Sequence, residues 1–142
     1  MRKQFSNQEI LMYTEQLNKV FLQTDKDIDL PIKINFYLQK NIKTFSEAAQ
    51  EINNLRLKIG NKYGEFDEET GAYIIKDKEK LKIAQSDMAQ LLSIDQILNI
   101  HMISLSELEK EAKLTVAQMN AMYFMIDDDD DSDDGIVYID EE

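Results

Sequence analysis

Nine apolar residues hold a single stripe across about thirty positions: Ile34, Leu38, Ile42, Phe45, Ala49, Ile52, Leu55, Ile59 and Tyr63 succeed one another at intervals of three or four. That spacing puts every one of them on the same face of an α-helix and on no single face of a strand. At 1.5 Å per residue the helix would be about 45 Å long, more than the width of a compact domain built from so short a chain. Part of it is therefore expected to pack on something beyond its own core. Pro31 sits where the first turn of a helix tolerates proline, and Gly60 and Gly64 stand where the helix should end.

Shorter elements flank this one. Ser6 followed by Glu9 has capping-box spacing, with Phe5 and Ile10 placed as a hydrophobic staple, so a helix is expected over residues 6–22 with Ile10, Tyr13, Leu17, Val20 and Phe21 on its inner face. The acidic stretch Thr24-Asp25-Lys26-Asp27-Ile28-Asp29 interrupts the pattern. Residues 65–75 read as a turn leading into a short strand at Tyr73, Ile74 and Ile75. Residues 77–92 carry Leu81, Ala84, Met88, Leu91 and Leu92 at helical spacing, although lysines in the first turn oppose the helix dipole. Leu98, Ile100 and Met102 alternate with Asn99, His101 and Ile103, which favours a strand that could pair with the one at Tyr73; Ser93 with Gln96 offers a competing helix start. Two further capping boxes, Ser104 with Glu107 and Thr115 with Gln118, announce two short closing helices, the last carrying Val116, Met119, Met122, Tyr123 and Ile126. The expected fold class is α+β, mainly α: a long amphipathic helix with shorter ones, a small two-stranded sheet and an acidic C-terminal tail. The expected division is one mostly helical domain over residues 1–126 and a tail over 127–142.

Charge is unevenly placed. The chain of 142 residues has a net charge of −12, with 28 acidic residues against 16 basic. Ten of the acids fall in the last 16 residues, so the remainder holds 18 acids against 16 bases. Negative charge repels phosphate backbones and anionic lipid, which disfavours direct nucleic-acid or membrane binding. No apolar run approaches the length of a membrane span, and the polar Asn7, Gln8 and Glu9 leave no signal-peptide block after the basic N-terminus. Without cysteine there are no disulfides, thiolate nucleophiles or thiolate metal sites. An intracellular setting is expected.

Few residues point to chemistry. The single histidine, His101, has no second histidine or cysteine for a zinc site and no serine elbow, so a structural role is favoured. None of Gly60, Gly64, Gly71 and Gly135 forms a phosphate loop, and acid pairs such as Glu68 with Glu69 or Glu107 with Glu109 are commonplace at exposed turns and helix faces. Met119, Met122 and Met125 fit a core better than an adaptable binding face. No cofactor is expected, and no catalytic residue is assigned.

The tail supports three readings. With Asp130 as first position it fits an EF-hand calcium loop in part, with oxygen ligands at Asp130, Ser132 and Asp134, the turn glycine at Gly135 and a bidentate acid at Glu141, but a run of aspartates matches acidic positions by composition alone. A solvated, self-repelling tail is the reading composition favours. The third makes it a partner-binding element: Ile136, Val137, Tyr138 and Ile139 are strand-prone and could add to a partner's sheet edge, while Asp127, Asp128, Asp129, Asp130, Asp131, Asp133 and Asp134 tether them and complement a basic surface.

The order of Leu30-Pro31-Ile32-Lys33, the helix running to Lys62-Tyr63-Gly64-Glu65, Asp67-Glu68 with Gly71, Leu91-Leu92, the strand ending at Ile103, and Leu114-Thr115 with Met125-Ile126 resembles small uncharacterised tailed-bacteriophage proteins over residues 30–126. The resemblance implies a non-enzymatic phage structural or assembly protein, in the virion or the host cytoplasm, that binds neighbouring virion proteins or itself through its long helix and acidic tail. The alternative is an acidic DNA mimic that inhibits a nucleic-acid-binding defence protein of the host, which the near-neutral body disfavours. A true calcium loop predicts that millimolar calcium raises the thermal midpoint of the full chain; the composition-favoured tail predicts no shift, and calorimetry with and without calcium separates the two.

Overall fold

The computed structural model describes residues 1–22, 30–111 and 113–127. The chain opens with strand β1 (Arg2–Ser6) and helix α1 (Asn7–Leu17), which ends in a π-helical turn at Asn18–Leu22. The long helix α2 (Ile32–Tyr63) leads into a hairpin of β2 (Glu65–Asp67) and β3 (Ala72–Ile74), followed by α3 (Lys78–Ser93). Strands β4 (Asp95–Asn99) and β5 (Ile103–Ser104), helices α4 (Leu105–Glu111) and α5 (Val116–Met122), a 3-10 turn at Tyr123–Met125 and strand β6 (Ile126–Asp127) complete it. The fold is α+β, mainly α, with no helix among the described residues long and apolar enough to cross a membrane.

The caps of α1 and α5 behave as their spacing predicts. Ser6 accepts from the Glu9 backbone N–H while Glu9 accepts from the Ser6 N–H, and Thr115 and Gln118 do the same for α5. Pro31 is the residue just before α2, with extended backbone and no N–H to leave unpaired. The acidic stretch at residues 24–29 lies outside the described residues.

The strand pairing differs from expectation. Residues 95–99, rather than 98–103, form β4, and its partner is β1, not β3: the two run antiparallel with Lys3 opposite Leu98 and Phe5 opposite Gln96. Strand β3 pairs instead with β2, Phe66 opposite Tyr73, a strand hidden in what reads as a turn. A hairpin between neighbours closes a shorter loop than a pairing across α3, which leaves β4 free for β1. A third pair, β5 with β6, is parallel, Ile103 opposite Ile126 and Ser104 opposite Asp127. Three two-stranded pairs thus replace the single expected sheet.

The core forms where α1, the first two thirds of α2, the β1–β4 ribbon and the segment from α5 to Met125 meet. Ile34, Leu38, Ile42, Phe45, Ala49 and Ile52 of the predicted stripe are all buried. Four rings, from Phe5, Tyr13, Phe45 and Phe124, all contact one another, with centroids between 4.7 Å (Phe45–Phe124) and 6.1 Å (Tyr13–Phe45) and mainly edge-to-face geometry. Met122 and Met125 are fully buried, filling the core rather than a surface.

Two buried asparagines join the elements. Asn7 donates its side-chain amide to the Leu91 carbonyl (2.8 Å) and accepts from Gln96 (2.6 Å), while its backbone N–H meets the Ile94 carbonyl, so it closes the open end of α3 against the start of α1. Asn41, with no exposed surface, donates to the His101 carbonyl at 2.9 Å and accepts from the His101 N–H at 2.8 Å, and its amide lies 3.3 Å from Met125 Sδ. That pair of bonds mimics a strand partner for a loop residue that has none. Lys3 donates to the Phe124 carbonyl at 2.7 Å; burial pushes its amine below the usual lysine range, against the attraction of Asp127. Asn41→Leu preserves volume but strands both His101 backbone groups, and is expected to lower unfolding free energy by about 2 to 3 kcal/mol in urea titration, whereas Thr44→Leu one turn away on an exposed bond should cost far less.

Candidate binding groove

The stripe on α2 outruns the core. Beyond Ile52 it continues through Leu55, Ile59 and Tyr63, yet Leu55 is 45% exposed and Leu57, off the stripe, is 57% exposed. Hairpin β2–β3 and the first turns of α3 cover this end only partly: among residues 53–88 Ala84 alone is buried. Six large apolar side chains here face solvent substantially, namely Leu55, Leu57, Phe66, Ile74, Leu81 and Ile83. A stable monomer does not need such a surface, and grouped exposed apolar residues mark contact sites more often than scattered ones.

Two glycines shape this end. A Cβ on Gly60 would lie 2.7 Å from the Tyr73 ring, so the ring rests directly on the α2 backbone. A Cβ on Gly64 would meet the Ile74 carbonyl oxygen at 2.8 Å, and Gly64 closes the helix through its N–H to the Gly60 carbonyl. Gly60 thus does not terminate α2, as its sequence position suggests, but seats the hairpin. Gly71 takes a left-handed conformation, φ 71°, at the hairpin turn, where a side chain would be strained. Tyr63 donates its hydroxyl to Asp87 at 3.0 Å and ties α2 to α3.

Between these parts runs an open groove of about 530 Å³, with Leu57 and Gly60 on one wall, Ala72 and Tyr73 on another, and Leu81 and Met88 on the third. Its volume suits a few side chains or a small ligand rather than a folded domain. Of the polar side chains that line it, Asn53, Arg56 and Gln85, Arg56 alone is charged. A separate recess of about 400 Å³ on the hairpin holds Lys62, Lys76 and Lys80 together with the acids Glu65 and Asp77. Among the described residues neither Arg56 nor any of these three lysines has a carboxylate within 4 Å; Arg56 bonds the Asn53 side-chain oxygen at 3.1 Å. Lys78, Lys80 and Lys82 occupy the first turns of α3, where the helix dipole opposes them.

The residues singled out from sequence fall elsewhere. Asp127 is half-buried in β6 opposite Ser104. The rest of the partner-binding set, Asp128, Asp129, Asp130, Asp131, Asp133, Asp134, Ile136, Val137, Tyr138 and Ile139, lies outside the described residues, as do the calcium candidates Asp130, Ser132, Asp134 and Glu141. Among the described residues no three His, Asp or Glu side chains gather as a metal site would require. His101 stacks its exposed ring on Tyr37, centroids 5.5 Å apart, and does not line the groove. Glu107 pairs with Lys33 at 3.6 Å. The groove itself has a sequence signal that spacing alone does not resolve: Leu57 beside the stripe.

Comparison of the chain with protein-family models, with curated proteins and with solved structures gave no match. Gly60→Leu is expected to lift Tyr73 off α2 and speed hydrogen exchange of the β2–β3 amides, while the amides around Asn41 keep their protection. Equal protection in both regions would show that the hairpin does not depend on Gly60.

Proposed function

We propose that this protein is a non-enzymatic binding protein that holds a neighbouring protein through the groove at the hairpin end of α2. In the phage setting implied by the resemblance over residues 30–126, that makes it a structural or assembly component of the particle. The observation that carries the reading is the mismatch between the apolar stripe and the core: α2 keeps its stripe for about three turns past the last buried residue, Ile52, and of that surplus Ile59 lines the groove with Leu57, Tyr73 and Leu81, while Leu55 and Tyr63 line neighbouring recesses.

The chemistry of the partner follows from the groove. An apolar floor takes a short apolar segment, and Arg56 on its wall favours an acidic residue beside that segment.

Leu57→Glu tests this without disturbing the core, since Leu57 is more than half exposed and glutamate suits a helix. Purified chain of each form is incubated with dissociated phage particle proteins, and captured proteins are identified by mass spectrometry. Capture of particle proteins by the native chain, reduced at least about tenfold by Leu57→Glu (roughly 1.4 kcal/mol or more), is the expected outcome. Equal capture by both forms would remove the groove from the reading, and host nucleases lost at high salt would point to the DNA mimic instead.

A further inference from the structure

We propose that the polar recess where the π-helical end of α1 lies beside residues 49–56 of α2 binds a small zwitterion with the chemistry of a free α-amino acid, an N–H-bearing ammonium beside a carboxylate. Asn53 and Arg56 line both this recess and the groove, and the site needs nothing from a partner in the groove.

One atom points to a ligand. Asn18 Oδ1 is buried without a hydrogen-bond partner, the only buried side-chain nitrogen or oxygen in that state among the described residues. The large majority of buried polar atoms in folded proteins have a partner, so an unmet acceptor calls for a donor from outside the fold. Asn18 opens the π-helical turn Asn18–Leu22, a geometry that is rare in proteins and frequent at functional sites. The recess it lines holds about 510 Å³, within the roughly 300–1,000 Å³ of small-molecule sites. Its amide turns about a soft terminal torsion, so the oxygen can swing toward a donor that enters there.

The other polar side chains of the recess define the molecule to which that donor belongs. Thr14 is already committed, its hydroxyl donating to the Ile10 carbonyl at 2.6 Å. The Asn53 oxygen accepts from one nitrogen of Arg56 at 3.1 Å, which leaves the rest of the guanidinium fork open. Three charges remain, Glu15, Lys19 and Arg56, and among the described residues none has an opposite charge within 4 Å. Glu15 and Lys19 stand four apart, the spacing at which a regular helix pairs such residues, but the helix changes from α to π between them.

One acid, one neutral acceptor and two cations complement a ligand that carries both charges. Its ammonium faces Glu15 and Asn18 Oδ1, and its carboxylate faces Lys19 and the fork of Arg56, which suits planar carboxylates. A simple anion would leave the Asn18 oxygen unmet. A simple cation would meet repulsion from Lys19 and Arg56, and a quaternary ammonium has no N–H to offer Asn18.

Side-chain amide NMR of the full chain reads the site directly, since Asn18 and Asn53 each give an NH2 pair. The probes are the free α-amino acids, added singly at millimolar concentration, with acetate, methylammonium and glycine betaine as controls. At least one amino acid is expected to shift both pairs and raise the thermal midpoint, while the controls do neither. Arg56 is exposed, so Arg56→Gln should leave the midpoint of the unliganded chain unchanged. It should weaken amino-acid binding by about tenfold or more. Asn18→Leu removes the unmet acceptor and should abolish binding without lowering the unliganded midpoint. No shift with any amino acid overturns the proposal. An equal shift with a control does so too, since it would reduce the contact to charge attraction, as does binding that survives either substitution. The groove reading fails or holds separately, on whether Leu57→Glu reduces the capture of particle proteins.

Discussion

Four aromatic rings that all touch one another hold the body together. Phe5 comes from β1, Tyr13 from α1, Phe45 from α2 and Phe124 from the 3-10 turn near the end of the described chain, so one cluster joins the contiguous β1 and α1 to two segments far along the chain. Edge-to-face contacts of this kind add about 0.5–1.5 kcal/mol per pair beyond the area they bury. The arrangement also explains why two polar side chains can be buried beside it. Once the rings position α1 against α2 and the C-terminal segment, Asn7 meets the Leu91 carbonyl and the Gln96 amide while Asn41 pairs with both backbone groups of His101, so each makes bonds on both sides of its amide.

The other end of α2 is built on a different principle. There the contacts are one ring on one glycine, one tyrosine on one aspartate and a three-residue ribbon. Such a region opens at a lower free energy than the core. The same uninterrupted helix carries both ends, so the groove is registered against the core by helix geometry rather than by a linker.

Much of this architecture is legible in the amino-acid sequence. The capping boxes at Ser6 and Thr115 and the stripe from Ile34 to Ile52 mark elements whose local signals and tertiary environment agree, and each forms where its spacing predicts. Strand β1 is not legible, because Arg2-Lys3-Gln4-Phe5-Ser6 has one apolar residue and its pairing depends on residues 89 to 97 positions away. For β4 the alternation identifies Leu98 as an inward position, and Ile100 just beyond it, both buried, but neither the bounds nor the partner. The groove stays hidden for a simpler reason: periodicity states which side chains share a face, not whether anything covers it. Leu38 and Leu55 are indistinguishable in the stripe, and one is buried while the other is 45% exposed.

The pairing of β1 with β4 has a consequence for synthesis. Residues 2–6 leave the ribosome long before Asn99, yet their ladder cannot form until Asn99 has followed, and the ring cluster waits further for Phe124. At about 5–20 residues per second that delay is on the order of ten seconds. The hairpin, which needs only residues 65–74, and its seat on Gly60 complete their contacts well within that interval. The hairpin end is thus able to assemble first, with the body closing around a nascent chain whose most distant segments are the last parts to meet.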